Sequence, residues 1–183
     1  MDYLLRYESF WRGDILDHGC GNGILTCFLA WMHPESSVTG VDLSANAVSV
    51  AGELARRLQV DNVRFGGRQA AERERYDVLF SCRTVHENIA CIPLCRESQR
   101  SVLSAEEQIK RHEEYTKMLS VFIKPKGYLI SVERYEDDEA YAGLVGALIR
   151  SGFCQVKGSH MQLSCKNGDE TAVFQAAVFQ KML

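Results

Sequence analysis

Two hydrophobic periods alternate along this chain. Short apolar runs at Asp14–Asp17, Ser37–Leu43, Asn62–Gly66, Tyr76–Cys82 and Tyr128–Glu133 each read as a strand. The run Tyr76–Cys82 is nearly continuous, as a strand covered on both faces by helices requires. Between the runs the apolar residues recur at helical spacing. Tyr3, Leu4, Tyr7, Phe10 and Trp11 do so in a short leading helix within Asp2–Arg12, and Ile24, Leu25, Phe28 and Leu29 in Ile24–Met32, which Pro34 stops. Ser44 caps a third helix to about Leu58, with Val48, Ala51, Ala55 and Leu58 on one face. The capping box Ser104-Ala105-Glu106-Glu107 opens a helix to about Val121, and another runs from Asp137 to Arg150 before the stop Ser151-Gly152. Finally, Phe153–Cys165 and Thr171–Lys181 alternate across Lys166-Asn167-Gly168-Asp169, a hairpin signal. Strands alternating with helices predict an α/β fold, a three-layer αβα sandwich in a single domain spanning residues 1–183.

The chemistry concentrates where the first strand meets its helix, at Asp17-His18-Gly19-Cys20-Gly21-Asn22-Gly23. Alternating glycines let the backbone turn with positive φ and approach a ligand closely. The helix that follows presents unpaired N–H groups and the positive end of its dipole, and Asp17 can accept from a cation or hydroxyl. A dinucleotide turn, G-x-G-x-x-G, would need a third glycine where Ile24 stands. About twenty residues further on, Asp42 ends the second strand. Its two oxygens suit the paired hydroxyls of an adenosine ribose, although an acid there also serves as a plain helix cap.

The pattern D-x-G-x-G-x-G resembles the first motif of class I S-adenosylmethionine (SAM) dependent methyltransferases, and Lys124-Pro125-Lys126-Gly127 matches that family's turn before its fifth strand. The resemblance extends over about Asp14–Lys181 and implies a seven-stranded, mostly parallel sheet with a C-terminal antiparallel hairpin. It implies SAM as cofactor, with Asp17, Gly19, Cys20, Gly21 and Gly23 at its methionine part, and Asp42, Leu43 and Ser81 among its other contacts. The family's usually acidic adenine contact falls on Gln69, an uncharged substitute. His86 and Glu87, just past the fourth strand, are the catalytic candidates, positioning or deprotonating the acceptor; Glu133 stands behind them. His86 as a packing or capping residue is the competing reading. The aromatics Tyr3, Tyr7 and Trp11 either lean over the cofactor or cover one end of the sheet. The irregular stretch Ile89–Ser104 has the length and place of a lid.

Composition narrows the partners. The net charge of −3 comes with interspersed acids and bases and no basic patch, so nucleic acid is not the expected partner. A small-molecule acceptor is expected. No run reaches the length of a membrane span and no signal peptide opens the chain. Seven cysteines, at 20, 27, 82, 91, 95, 154 and 165, form no C-x-x-C pair, so reduced thiols, a cytoplasmic location and no metal site are expected; Cys91 and Cys95 lack a third ligand. The short lead-in and Gln69 also fit a SAM-binding or partner-binding module without catalysis, in a homo-oligomer or beside a chain that supplies a substrate domain. A nucleotide-dependent oxidoreductase is disfavoured by Ile24.

Overall fold

The computed structural model describes residues 2–72, 75–85, 105–135, 138–167 and 170–183. His86, Glu87, the stretch Ile89–Ser104 with Cys91 and Cys95, and the turn residues Gly168 and Asp169 lie outside the described residues.

The chain opens with helix α1 (Asp2–Arg6) and a 3-10 turn (Glu8–Phe10). There follow β1 (Asp14–His18), α2 (Ile24–Met32), β2 (Ser37–Val41), α3 (Ala45–Leu58) and β3 (Val63–Gly66). A 3-10 turn (Arg68–Ala70) leads to β4 (Tyr76–Cys82). Helix α4 (Ala105–Phe122), β5 (Ile123–Arg134), α5 (Asp138–Arg150), β6 (Phe153–Gln155), β7 (Met161–Asn167) and β8 (Glu170–Lys181) complete it. One eight-stranded sheet runs in the order β3-β2-β1-β4-β5-β8-β6, with β7 paired to β8. The first five strands are parallel to one another, whereas β6, β7 and β8 pair antiparallel, β8 against β5. Among the described residues the sheet thus has one strand more than the seven that the resemblance implies. The alternating run Phe153–Cys165 is broken by the turn around Gly158 (φ 76°), so its two ends pair with different parts of β8.

Side chains on successive strand residues face opposite ways, and that alternation builds two cores. Leu16, Leu79, Leu129, Ala177 and Phe179 pack with α4 and α5 through Tyr115, Leu119, Phe122, Tyr141 and Leu148. Their neighbours Ile15, Val78, Phe80, Ile130 and Val178 pack on the other face with Leu29 and Ala30 of α2 and with Tyr3, Leu4 and Trp11. The leading aromatics therefore cover the sheet. Tyr3 and Tyr7 donate to the carbonyls of Ser159 and Gly158, and Trp11 to that of Leu4. Trp11 also meets Phe80 edge-on and stacks on His33.

Two sequence expectations shift. In α2 the inward face holds Thr26, Cys27, Leu29 and Ala30, while Ile24 is 59% exposed, because the Thr26 hydroxyl is drawn onto Asp17 beneath it. Strand β5 begins at Ile123 rather than Tyr128: Lys124-Pro125-Lys126-Gly127 stays within it as an irregularity, with Lys126 at φ 64°.

Candidate functional site

The carboxyl ends of the parallel strands lie in register, His18 beside both Val41 and Ser81, and Cys82 beside Val132. The loops leaving these ends therefore share one edge of the sheet. The glycine turn is stitched to its neighbours by backbone bonds. Gly19 and Cys20 donate to the carbonyl of Val41 (2.8 and 3.0 Å), Gly23 donates to that of Cys20 (3.0 Å), and Asp42 donates to that of Gly66 (3.2 Å). Gly19, Gly21 and Gly23 all have positive φ. Their reasons differ. A Cβ at Gly19 would overlap the Thr84 methyl, and one at Gly23 would lie 2.6 Å from the Ala51 methyl, so these two let elements close up. Around Gly21 nothing lies within 4 Å of where a Cβ would be. No other part of the described chain fills that space.

Asp42 borders the opening. One carboxylate oxygen accepts from Gly21 N (2.9 Å), the other from Ser44 N (2.8 Å). A carboxylate offers about four lone-pair positions, so acceptor capacity is left for a ligand. Leu43 beside it is 86% exposed, an apolar surface next to the bare turn. Gln69 sits exposed in the 3-10 turn after β3. Asp17 lies beneath, 3% exposed, with Thr26 Oγ1 donating to it at 2.6 Å. Burial pushes its carboxyl up to about 7; Thr26 pulls it back and Asp42 adds to the rise. Burial lowers His18 next door to about 4, with the Arg68 guanidinium pushing the same way and Asp42 opposing, so this imidazole is neutral.

Under the exit of β4 lies a buried polar group. Glu133, fully buried, accepts from Ser81 Oγ (2.6 Å) and Val85 N (3.0 Å). Ser81 Oγ is 2.5 Å from Thr84 Oγ1, which is 2.9 Å from Tyr115 Oη, and Tyr115 Oη is 3.4 Å from His18 Nδ1. Between them Arg83, exposed, adopts φ 62°, a conformation that non-glycine residues rarely take.

A family model described as a methyltransferase domain matches residues 12–177. The chain belongs to that family. It is a class I, SAM-dependent methyltransferase domain. It is 31% identical over 101 residues to ribosomal RNA small subunit methyltransferase G of Thermotoga neapolitana, covering 52% of this chain and 43% of that protein. It is 30% identical over 81 residues to malonyl-(acyl-carrier protein) O-methyltransferase of Acetivibrio thermocellus, covering 44% and 29% respectively. Its fold superposes on a SAM-dependent methyltransferase of Methanosarcina mazei with a TM-score of 0.66 at 17% identity, over 93% of this chain and 92% of that one. The matched segments span 15% to 43% of the lengths of curated relatives.

The methyltransferase site residues sort into three groups. Gly21, Asp42, Leu43 and Gln69 stand at the sheet edge around the opening, and the bare backbone, carboxylate and apolar side chain there fit an adenosyl group with a methionine tail. Cys20 and Ser81 lie deeper than these four. The Cys20 side chain is buried, its Cβ near Gly40, and both its N–H and its carbonyl are bonded within the fold, so it shapes the turn. Ser81 is fully buried with its hydroxyl on Glu133, beneath the crevice rather than in it. Glu133 is likewise closed off from the crevice. His18, Thr84 and Tyr115 escaped the sequence reading, since they come from three separate segments. A hint was present, in that Ser81 and Glu133 are polar residues inside otherwise apolar strands. A hollow of about 420 Å³ lies elsewhere, between α3 and β3, lined by Glu53, Arg56 and Arg64 among others.

Proposed function

We propose that this domain transfers the methyl group of SAM to a small-molecule acceptor. The observation that carries the reading is the open, side-chain-free surface at Gly21 beside the Asp42 carboxylate. When bound, SAM supplies an activated methyl on its sulfonium. The chain's contribution is alignment and exclusion of competing contacts. Asp42, held by two backbone N–H groups, keeps its carboxylate at the opening without side-chain reorganisation. Leu43 offers an apolar face, and Gln69 an uncharged acceptor and donor. Asp17, titrating near 7, supplies negative charge under the turn, and neutral His18 adds no positive charge that would oppose a cationic cofactor. His86 or Glu87, next in the chain after Val85, is the proposed group that positions the acceptor or removes its proton.

A small acceptor is favoured by the net charge of −3, which gives no electrostatic pull toward phosphates. Relatives of both kinds exist: the Acetivibrio relative is named for a malonyl-(acyl-carrier protein) substrate and the Thermotoga relative for ribosomal RNA. Incubation with methyl-labelled SAM and separated small-molecule, RNA and protein fractions of a cell extract tests the proposal. Label is expected in the small-molecule fraction; label confined to RNA or protein would overturn the choice of acceptor. Failure to bind S-adenosylhomocysteine by calorimetry would overturn the site itself.

A further inference from the structure

Five side chains scattered in the sequence form one hydrogen-bonded chain across the carboxyl ends of β5, β4 and β1: Glu133, Ser81, Thr84, Tyr115 and His18. All but His18 are buried, and His18 is largely so. Along the contacts just named, proton counting gives the chain a direction, because each hydroxyl carries a single hydrogen. Both Glu133 oxygens accept, one from Ser81 and one from the backbone N–H of Val85. With its hydrogen committed to Glu133, Ser81 must accept at its 2.5 Å contact, so Thr84 is the donor there. Thr84 then accepts from Tyr115 at 2.9 Å. The remaining contact, 3.4 Å between Tyr115 Oη and His18 Nδ1, takes its hydrogen from the imidazole.

We propose that Glu133 is a positioning residue for the cofactor turn: through Ser81, Thr84 and Tyr115 it holds His18 in the Nδ1–H form and seats the segment leaving β4 against Gly19. Its consequence for catalysis rests on the turn being the SAM site, whereas its test does not. Three independent features agree with it. The Thr84 methyl occupies the place where a Cβ of Gly19 would be, so the residue in the middle of the chain is also the wedge between the two loops. The Tyr115 hydroxyl is pushed well above its ordinary range, chiefly by burial and then by the Glu133 charge, so it stays a donor. Arg83, between Ser81 and Thr84, holds a left-handed backbone, which persists only where its surroundings over-determine it. The anchor of Val85 N on Glu133 supplies such a constraint. His18 Nε2 is left as a lone-pair acceptor beside the turn, a neutral group where a cation would repel a sulfonium.

Glu133→Gln reverses the chain while keeping its shape. The backbone N–H of Val85 still needs an acceptor, so the amide oxygen goes there and the amide nitrogen faces Ser81 and donates. Ser81 then donates to Thr84, Thr84 to Tyr115, and Tyr115 to Nδ1 of His18, which becomes the Nε2–H tautomer. Nitrogen NMR of histidine-labelled protein separates the two tautomers, with His18→Gln identifying the signal. The expected result is Nδ1–H in the wild type, Nε2–H in Glu133→Gln, and no response to Glu133→Gln in a Tyr115→Phe background. A wild-type Nε2–H form, an unchanged tautomer in folded Glu133→Gln, or a response that survives Tyr115→Phe would overturn the proposal. If Glu133→Gln does not fold, Ser81→Ala carries the test: it unhooks Thr84 from Glu133, so a mixture of tautomers supports the proposal and a pure Nδ1–H form refutes it. S-adenosylhomocysteine affinity on the same preparations should fall several-fold in Glu133→Gln. No binding by the wild type would count against the cofactor reading alone, while the tautomer decides the role of Glu133.

Discussion

Asp17→Asn separates the stability of the turn from its function, because asparagine keeps the shape and can still accept from Thr26 while losing the charge. In the fold the Asp17 carboxyl is raised from 3.8 to about 7, mainly by burial. The folded state therefore holds a proton that the unfolded state has released between those values, and stability falls as pH rises through that window. A tenfold change in proton affinity is worth about 1.36 kcal/mol, so ionised Asp17 costs the free protein about 4 kcal/mol above pH 7 and nothing below about pH 4. Asp17→Asn should match the wild type near pH 4 and exceed it by up to about 4 kcal/mol near pH 8. Urea unfolding of both proteins across that range gives the difference directly, with contributions common to both cancelling. His18 supplies the opposite sign. Its folded value of about 4 against 6.5 makes stability rise with pH between those values by about 3 kcal/mol, so a His18→Gln difference curve should slope the other way. The stabilised Asp17→Asn protein should nonetheless bind S-adenosylhomocysteine about tenfold more weakly, having lost a charged acceptor. A wild-type-minus-Asn difference that is flat with pH would refute the buried-charge reasoning.

Three further outcomes follow from other parts of the structure. Gly21→Ala and Gly23→Ala should part company: the first costs about 1 kcal/mol from its left-handed backbone and mainly lowers cofactor affinity, while the second also meets Ala51 and should lose 2 kcal/mol or more, roughly, in thermal unfolding. Asp42→Ala should weaken S-adenosylhomocysteine binding at least about tenfold, and unchanged calorimetric affinity would remove Asp42 from the site. Alkylation followed by mass spectrometry should label exposed Cys154 and Cys165 first and Cys20 and Cys27 last, since both are buried and burial pushes the Cys20 thiol up to about 12; early labelling of Cys20 would mean that the turn opens.

Local chemistry decided much of this protein in the sequence itself. Alternating apolar residues such as Ile15 and Leu16, or Val78 and Leu79, set which face of the sheet each side chain joins, because the strand period is two. The glycines of the turn, the acid ending β2 and the Ser44 cap, whose Oγ accepts from Ala47 N, act over a few bonds and were legible for that reason. The inward face of α2 is not legible locally, because Thr26 is polar and only the buried Asp17 beneath it makes that position interior. Cys20 and Ser81 stood at the right places in the chain, yet their side chains point into the fold, a direction that position alone does not specify. The chain from Glu133 to His18 depended wholly on tertiary structure. Its members are as many as 115 residues apart in sequence, and they meet because parallel pairing aligns the ends of β1, β4 and β5 while α4 lays Tyr115 across them. Hydrogen bonds between such distant groups exist only after the sheet has been ordered, so no local pattern encodes them.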